Sequence, residues 1–350
     1  MICSYALFLL LKTACGLQVF YTPQEQYYPM PPADAAENEQ GLASAIRSRT
    51  AHVVHLTHND LDAVGADAIH RMVYGSDGVF TIWSSVGRFP GLFAVVASCE
   101  GKGDVLSISD LGYHPDTVAI ATRAQKNGWK VDWRDHHRWR DDEIAKIERE
   151  VRFLHIDTTI CGTAIVAKDI APDNPVAGEV ARIVCDYDLW KHADPRSAVL
   201  GQVLQRRENR DHVRDCLVRG VFTDARIEAQ YAEIRAEMDV AMRTSLKHAT
   251  FYDAKYKIAF APLYGYPSET AHFIRDEKGT GIEVIIGKDG KFSIRSVPPI
   301  SHLIAREFGG GGHPHAAGGS FNFTVIERFT WWLFKKSRHF DELVKVAGQH

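Results

Sequence analysis

Acids and imidazoles fall in four short runs of this chain: Thr57-His58-Asn59-Asp60-Leu61-Asp62, a single Asp110, Asp135-His136-His137, and Cys185-Asp186-Tyr187-Asp188. The first three each close a β-forming stretch, and the fourth lies further on. In an open parallel sheet the ligand crevice lies beyond the carboxyl ends of the strands, so side chains from these runs can converge there. Several carboxylates in one crevice repel one another and take up protons unless cations compensate them. Oxygen ligands mixed with imidazole suit manganese or magnesium, and no cysteine pair is present to favour zinc. Two such ions about 3.5 to 4 Å apart, sharing a carboxylate, clamp the attacking and leaving oxygens of a phosphoryl centre. Each run has a plainer reading when taken singly. Asp60 or Asp62 can cap a helix, Asp110 can serve a turn, and His137 can be an ordinary hydrogen-bonded group. Their order after successive strands is what points to chemistry.

A second feature is the loop Phe308-Gly309-Gly310-Gly311-Gly312-His313-Pro314-His315-Ala316-Ala317-Gly318-Gly319. Consecutive glycines cost backbone entropy on folding, so something must approach this backbone closely. Free amides without side chains form a nest for an anion, and His313 can donate to a phosphate oxygen. A simple turn needs only one or two glycines.

Positioning these groups requires a sheet with covering helices. Strands are predicted at His52 to Thr57, Val79 to Trp83, Val105 to Ser109, Lys130 to Trp133 and Phe153 to Ile156. Helices are predicted near Asp62 to Tyr74, Pro115 to Lys126, Asp141 to Glu150 and Ala177 to Trp190. This alternation defines an α/β fold with a parallel sheet over residues 49–195. Residues 196–250 lose strand character and read as a charged helical linker. Strands return at Tyr256 to Ala261, Ile282 to Ile286 and Phe292 to Arg295, giving a smaller α/β domain over 251–325 and a closing helix over 326–350 with Trp331 and Trp332. Residues 1–48 read as an extension, with 22–42 a linker or loose tail.

The chain has 350 residues, enough for two domains, and a net charge of -3. Whole-molecule charge therefore supplies no steering toward long polyanions, and a nucleic-acid ligand must be held by a local basic patch or by metal ions. The six cysteines form no CxxC pair and read as reduced thiols in a cytoplasmic protein. The apolar stretch Tyr5 to Leu11 is too short to span a bilayer. It reads as an extra helix or the product of an upstream start, with a cleaved leader as the alternative.

His58-x-Asp60-x-Asp62, Asp110 and Asp135-His136-His137 resemble the successive motifs of the DHH phosphoesterase superfamily. The loop around Gly310-Gly311-Gly312-His313, preceded by Ser293-Ile294-Arg295-Ser296, resembles the GGGH motif of the DHHA1 domain. The resemblance spans roughly residues 50 to 325. It implies one metal held by His58, Asp60 and Asp110. The second would be held by Asp62, Asp110, His136 and an aspartate of the fourth run, with Asp110 bridging and an activated water as nucleophile. Both Asp186 and Asp188 are candidates for that last ligand. Asp186 is favoured, and Asp188 and Trp190 read as packing or capping residues. Asp135 would orient an imidazole, and His137 would face the phosphate or the leaving oxygen. Arg295, Ser296, Gly310, Gly311, Gly312 and His313 would bind substrate. Two divalent ions are implied, manganese ahead of magnesium.

Only about thirty residues follow the glycine loop, too few for an extra strand-tracking module. The layout therefore looks like the oligoribonuclease and cyclic-dinucleotide branch, hydrolysing short RNA or DNA oligonucleotides or dinucleotides to mononucleotides, with no membrane partner and a homodimer left open. The alternatives are a single-strand exonuclease of the RecJ type and a catalytically inactive DHH scaffold.

Overall fold

The computed structural model describes residues 32–350, with side chains from residue 39 onward. The stretch Tyr5 to Leu11 lies outside the described residues. A helix, α1 (Pro32–Ser48), occupies half of the stretch expected to be a loose tail. Its fully buried Ile46, with Leu42 and Ala43, packs on the core beside the first sheet, which is why this part folds.

Five parallel strands follow: β1 (Val53–Thr57), β2 (Val79–Trp83), β3 (Val105–Ser109), β4 (Lys130–Asp135) and β5 (Phe153–Ile156). Their order is β2-β1-β3-β4-β5. The register pairs Thr57 with Ser109 and Ser109 with Arg134, so the three strands that precede the chemical runs end level with one another. β1 is buried along its whole length, as a central strand covered on both faces must be. One face carries α3 (Phe89–Ser98), α4 (Thr117–Lys126) and α5 (Asp141–Glu148) and packs Leu56, Ile108 and Trp133 with Phe89 and Phe93. The other side carries α2 (Leu61–Tyr74), α6 (Gly162–Ile170) and α7 (Pro175–Asp188), which share a core around Val64, Val166 and Val184. Neither α3 nor α6 is among the helices predicted from the sequence.

Three helices connect the sheets: α8 (Pro195–Val203), α9 (Arg210–Val218) and the long α10 (Ala225–Lys247). The second sheet has six strands in the order β10-β11-β9-β8-β7-β6, where β6 is Thr250–Asp253, β7 Lys257–Pro262, β8 Ile282–Ile286, β9 Lys291–Ser296, β10 Gly311–His313 and β11 Ala316–Ser320. Only β7 and β8 run parallel. Helix α11 (Pro267–Lys278) covers one face, and α12 (Ser301–Glu307) leads into the glycine loop. The architecture is the expected parallel-sheet α/β half joined through helices to a smaller α/β half, except that the closing stretch forms two helices, α13 (Val325–Phe334) and α14 (His339–Gln349), where one was expected.

The cysteines correct the expectation of reduced thiols. Cys161, at the start of α6, is disulfide-bonded to Cys185 in α7, whereas Cys99 and Cys216 are free and buried. The bond ties together two helices beside the crevice, and it removes the thiol argument for a cytoplasmic location. No described helix is long and apolar enough to cross a membrane.

Candidate metal centre and facing cleft

The three strand ends deliver their acids into one crevice. Asp60 caps α2, accepting from the Ala63 amide at 3.1 Å through one oxygen, while the other accepts from His58 Nδ1 at 2.8 Å. Capping and convergence are therefore compatible in one residue. Asp110 ends β3 with φ +53°, a left-handed conformation that a non-glycine residue adopts only against a steric cost. That turn directs its carboxylate to His136 Nε2 at 3.3 Å and His58 Nδ1 at 3.7 Å.

Asp62 is fixed by a cradle that the sequence reading missed. The backbone amides of Gly162 and Thr163, at the start of α6, donate to its two oxygens at 2.7 and 2.8 Å. The free amides of a helix start suit a carboxylate. A Cβ on Gly162 would stand 2.8 Å from Asp62 Oδ2 and 3.3 Å from Asp110 Cβ, so only glycine fits. The small pair Gly-Thr soon after the fifth strand was the available signal.

The fourth run requires a correction. Asp186, the favoured ligand, turns away: its carboxylate accepts from the amides of Ala193 and Asp194 and from Ser197 Oγ at 2.6 to 3.0 Å, closing the connection from α7 to α8. Asp188 instead points into the crevice, 3.7 Å from His136 Nδ1. At about 100° per residue, positions two apart on a helix face nearly opposite ways, so only one of them can reach the site.

Three overlapping sets of donors result: His58 with Asp60 and Asp110, Asp62 with His136 and Asp188, and Asp110 with His136 and His137. Within each set the donor atoms lie within 4.8 Å of one another. Asp110 Oδ2 and Asp188 Oδ2 are buried with no hydrogen-bond partner. Burial and the charges of Asp60, Asp62, Asp188 and Asp135 push the Asp110 carboxyl well above the usual range. Burial, with Asp62 and Asp60, lifts Asp188 to about 9. Asp60 is the exception: burial raises it, but His58 outweighs that and leaves it at about 2. Buried acids with orphaned oxygens are costly unless a cation completes them, and this oxygen-and-imidazole set fits divalent ions.

Beside the cluster, Asp135 is fully buried and accepts from His137 Nδ1 and Trp139 Nε1, each at 2.7 Å. His137 is thereby held with its other nitrogen free, and its ring stands 6.1 Å from that of His313 on the glycine loop. The loop itself is a β ribbon. Gly310 and Gly312 are needed because their own chain comes close: a Cβ would meet Gly318 O at 1.8 Å or Ala317 Cα at 2.6 Å. The Gly310 amide donates to Ala305 O and is not available to an anion, whereas Gly311 has open space above it. Ser296 is likewise withdrawn from a ligand role, since its buried hydroxyl bonds Pro298 O and Ser301 Oγ.

Arg295 donates to the Ser268 hydroxyl at 2.7 Å and, through its other terminal nitrogen, to Ser293 Oγ and Ile294 O. Two more contacts join the halves here, and the first agrees with the packing role expected of Trp190. Trp190, 38% exposed, stacks on His272 of α11 with ring centroids 4.9 Å apart. Tyr187 reaches Glu269 at 3.4 Å.

This fold is shared with a solved DHH domain and with RecJ. A DHH domain described as belonging to a family of ribosomal proteins superposes with TM-score 0.61 at 15% identity, covering 89% of this chain and 89% of that one. RecJ from Thermus thermophilus in complex with Mn2+ gives 0.55 at 15% identity, covering 93% of this chain and 56% of the longer RecJ. The pGpG-specific phosphodiesterase PggH of Vibrio cholerae gives 0.51 at 11% identity, covering 85% and 100%. No family model matches the sequence, and no curated protein matches it.

Proposed function

We propose that this protein is a metal-dependent phosphodiesterase that hydrolyses short oligonucleotides or dinucleotides to mononucleotides. The observation that carries the reading is the crevice at the carboxyl ends of β1, β3 and β4, where buried carboxylates with orphaned oxygens meet two imidazoles. His58, Asp60 and Asp110 would hold one divalent ion, and Asp62, Asp110, His136 and Asp188 the second. When bound, such ions neutralise the carboxylates, activate water and stabilise charge on a phosphoryl group.

The chain's own groups supply the rest. The Gly162 and Thr163 amides keep Asp62 in place, and the Asp110 turn keeps its carboxylate between His58 and His136. His137, held by Asp135 through one ring nitrogen, presents the other to the leaving oxygen and carries its proton. Arg295 and His313 face a substrate phosphate from the opposite wall, and Trp190 offers its ring to a base. PggH and RecJ, whose names denote action on a dinucleotide and exonuclease activity, support a nucleotide substrate. The mild net charge of -3 favours a small substrate over a long strand.

A panel of RNA and DNA oligomers from the dinucleotide to about twenty nucleotides, with manganese or magnesium, tests the reading. Turnover is expected to peak at the shortest lengths with manganese present. Faster cleavage of long single-stranded DNA would point to the RecJ-type exonuclease, and inactivity of the folded protein on every length to a scaffold.

A further inference from the structure

Sharing no residue with the crevice, a second donor cluster sits at the corner between α9 and α10. His212 and Cys216 are one helical turn apart on α9 and so share a face. Asp224 is the N-cap of α10, where one oxygen accepts from the Ile227 amide at 2.8 Å and thereby orients the other oxygen toward His212 and Cys216. His212 Nε2 lies 2.8 Å from Asp224 Oδ2 and 3.7 Å from Cys216 Sγ, and the sulfur lies 3.4 Å from the same oxygen.

The convergence decides between two chemistries. In a nucleophile–histidine–acid triad the sulfur and the carboxylate engage opposite nitrogens of the ring. Here both approach the same nitrogen, Nε2, so three donor atoms of three kinds surround one point. Tetrahedral zinc, with bonds of about 2.0 to 2.3 Å, sets its ligand atoms about 3.3 to 3.6 Å apart. Two of the observed separations are already near that range, and the shortest must open by about half an ångström. Cys216 is buried, while the side chains of His212 and Asp224 are 25% and 32% exposed, so solvent reaches two of the three donors and can supply a fourth ligand. Arg219 donates to Cys216 Sγ at 3.4 Å, a bond that a metal-held thiolate can keep.

We propose that His212, Cys216 and Asp224 form a binding site for a thiophilic divalent cation of the zinc class, separate from the oxygen-rich crevice. A thiolate selects such ions over manganese and magnesium. The ion would fasten the end of α9 to the start of α10, the helix that carries the chain to the second sheet.

Titration of the metal-free, full-length protein with cobalt(II) reads the site directly, because a thiolate–cobalt charge-transfer band reports sulfur ligation. The band is expected in the wild type and in Asp110→Asn, and absent in Cys216→Ser. His212→Asn, which keeps the thiol, is expected to bind cobalt at least about tenfold more weakly. Bound zinc measured by mass spectrometry should fall by one ion per chain in Cys216→Ser, with circular dichroism unchanged. Absence of the band in the folded wild type would overturn the proposal. So would an equal band in Cys216→Ser, which would assign the sulfur to another cysteine, such as Cys185 released from its disulfide.

Discussion

Two buried acids in the same half of the molecule have opposite surroundings. Asp67, on α2, accepts from His55 Nδ1 at 2.9 Å, Thr81 Oγ1 at 2.6 Å and Arg71 Nε at 2.9 Å, and His55 in turn contacts Ser109 Oγ at 2.8 Å. Burial raises its carboxyl, but His55, Arg71 and Thr81 outweigh that and hold it far below the usual range. Asp110, one residue beyond Ser109, is as deeply placed but has four acids as neighbours, a strained backbone and an oxygen with no partner. The first acid is completed by its own chain. The second is left incomplete, and burial alone would have ranked the two together. What separates a structural acid from a ligand-seeking one is whether the chain supplies its hydrogen bonds.

Substitutions should separate the two along this line. The largest effect is expected at Asp67: Asp67→Ala strands His55 and Arg71 and should cost about 3 to 5 kcal/mol in denaturant unfolding, with hydrolysis per folded molecule largely kept. Because the folded carboxyl is depressed, its contribution is present above the ordinary carboxylate pKa of about 3.9 and is lost as pH falls below it. Asp67→Asn should therefore show a flatter acid limb in a plot of stability against pH. At Asp110 the pattern reverses. Asp110→Asn should lower hydrolysis by more than ~100-fold, beyond the range for outer partners of a metal, while removing a repelling charge leaves the metal-free Tm equal or higher. A marked fall in that Tm would erase the contrast with Asp67.

A finer test compares Asp186 with Asp188. Asp188→Asn is expected to reduce activity at least ~10-fold at nearly unchanged stability. Asp186→Ala should cost about 1 to 3 kcal/mol by stranding the Ala193 and Asp194 amides, with kcat affected less than in Asp188→Asn. The smallest effect is expected on the opposite wall, where Arg295→Lys should raise KM a few-fold more than it lowers kcat, since the planar fork is lost and the charge kept. Steady-state kinetics on a dinucleotide distinguishes these outcomes.

Much of this was legible in the residue pattern. The five parallel strands announce themselves by β-rich runs, three of them followed by the acids and histidines of the crevice, and this placement already relates Asp60, Asp110 and His136. What the pattern leaves out depends on rotation and on distant partners. Whether Asp186 or Asp188 faces inward is set by the phase of one helix near its end. The cradle for Asp62 comes from a helix start 100 residues later in the chain. The Cys161–Cys185 bond depends on α6 and α7 packing side by side, a tertiary fact that cysteine spacing does not encode. In the glycine loop the close approach was correctly anticipated, but at Gly310 and Gly312 the approaching group is the protein's own β11.

The account is tested most directly by counting Mn2+ bound to the metal-free protein by equilibrium dialysis with mass-spectrometric detection, for the wild type and Asp110→Asn side by side. Two ions per chain are predicted, with a clear loss in the variant. A folded wild type that takes up none, or a variant that binds as many as the wild type, would contradict it.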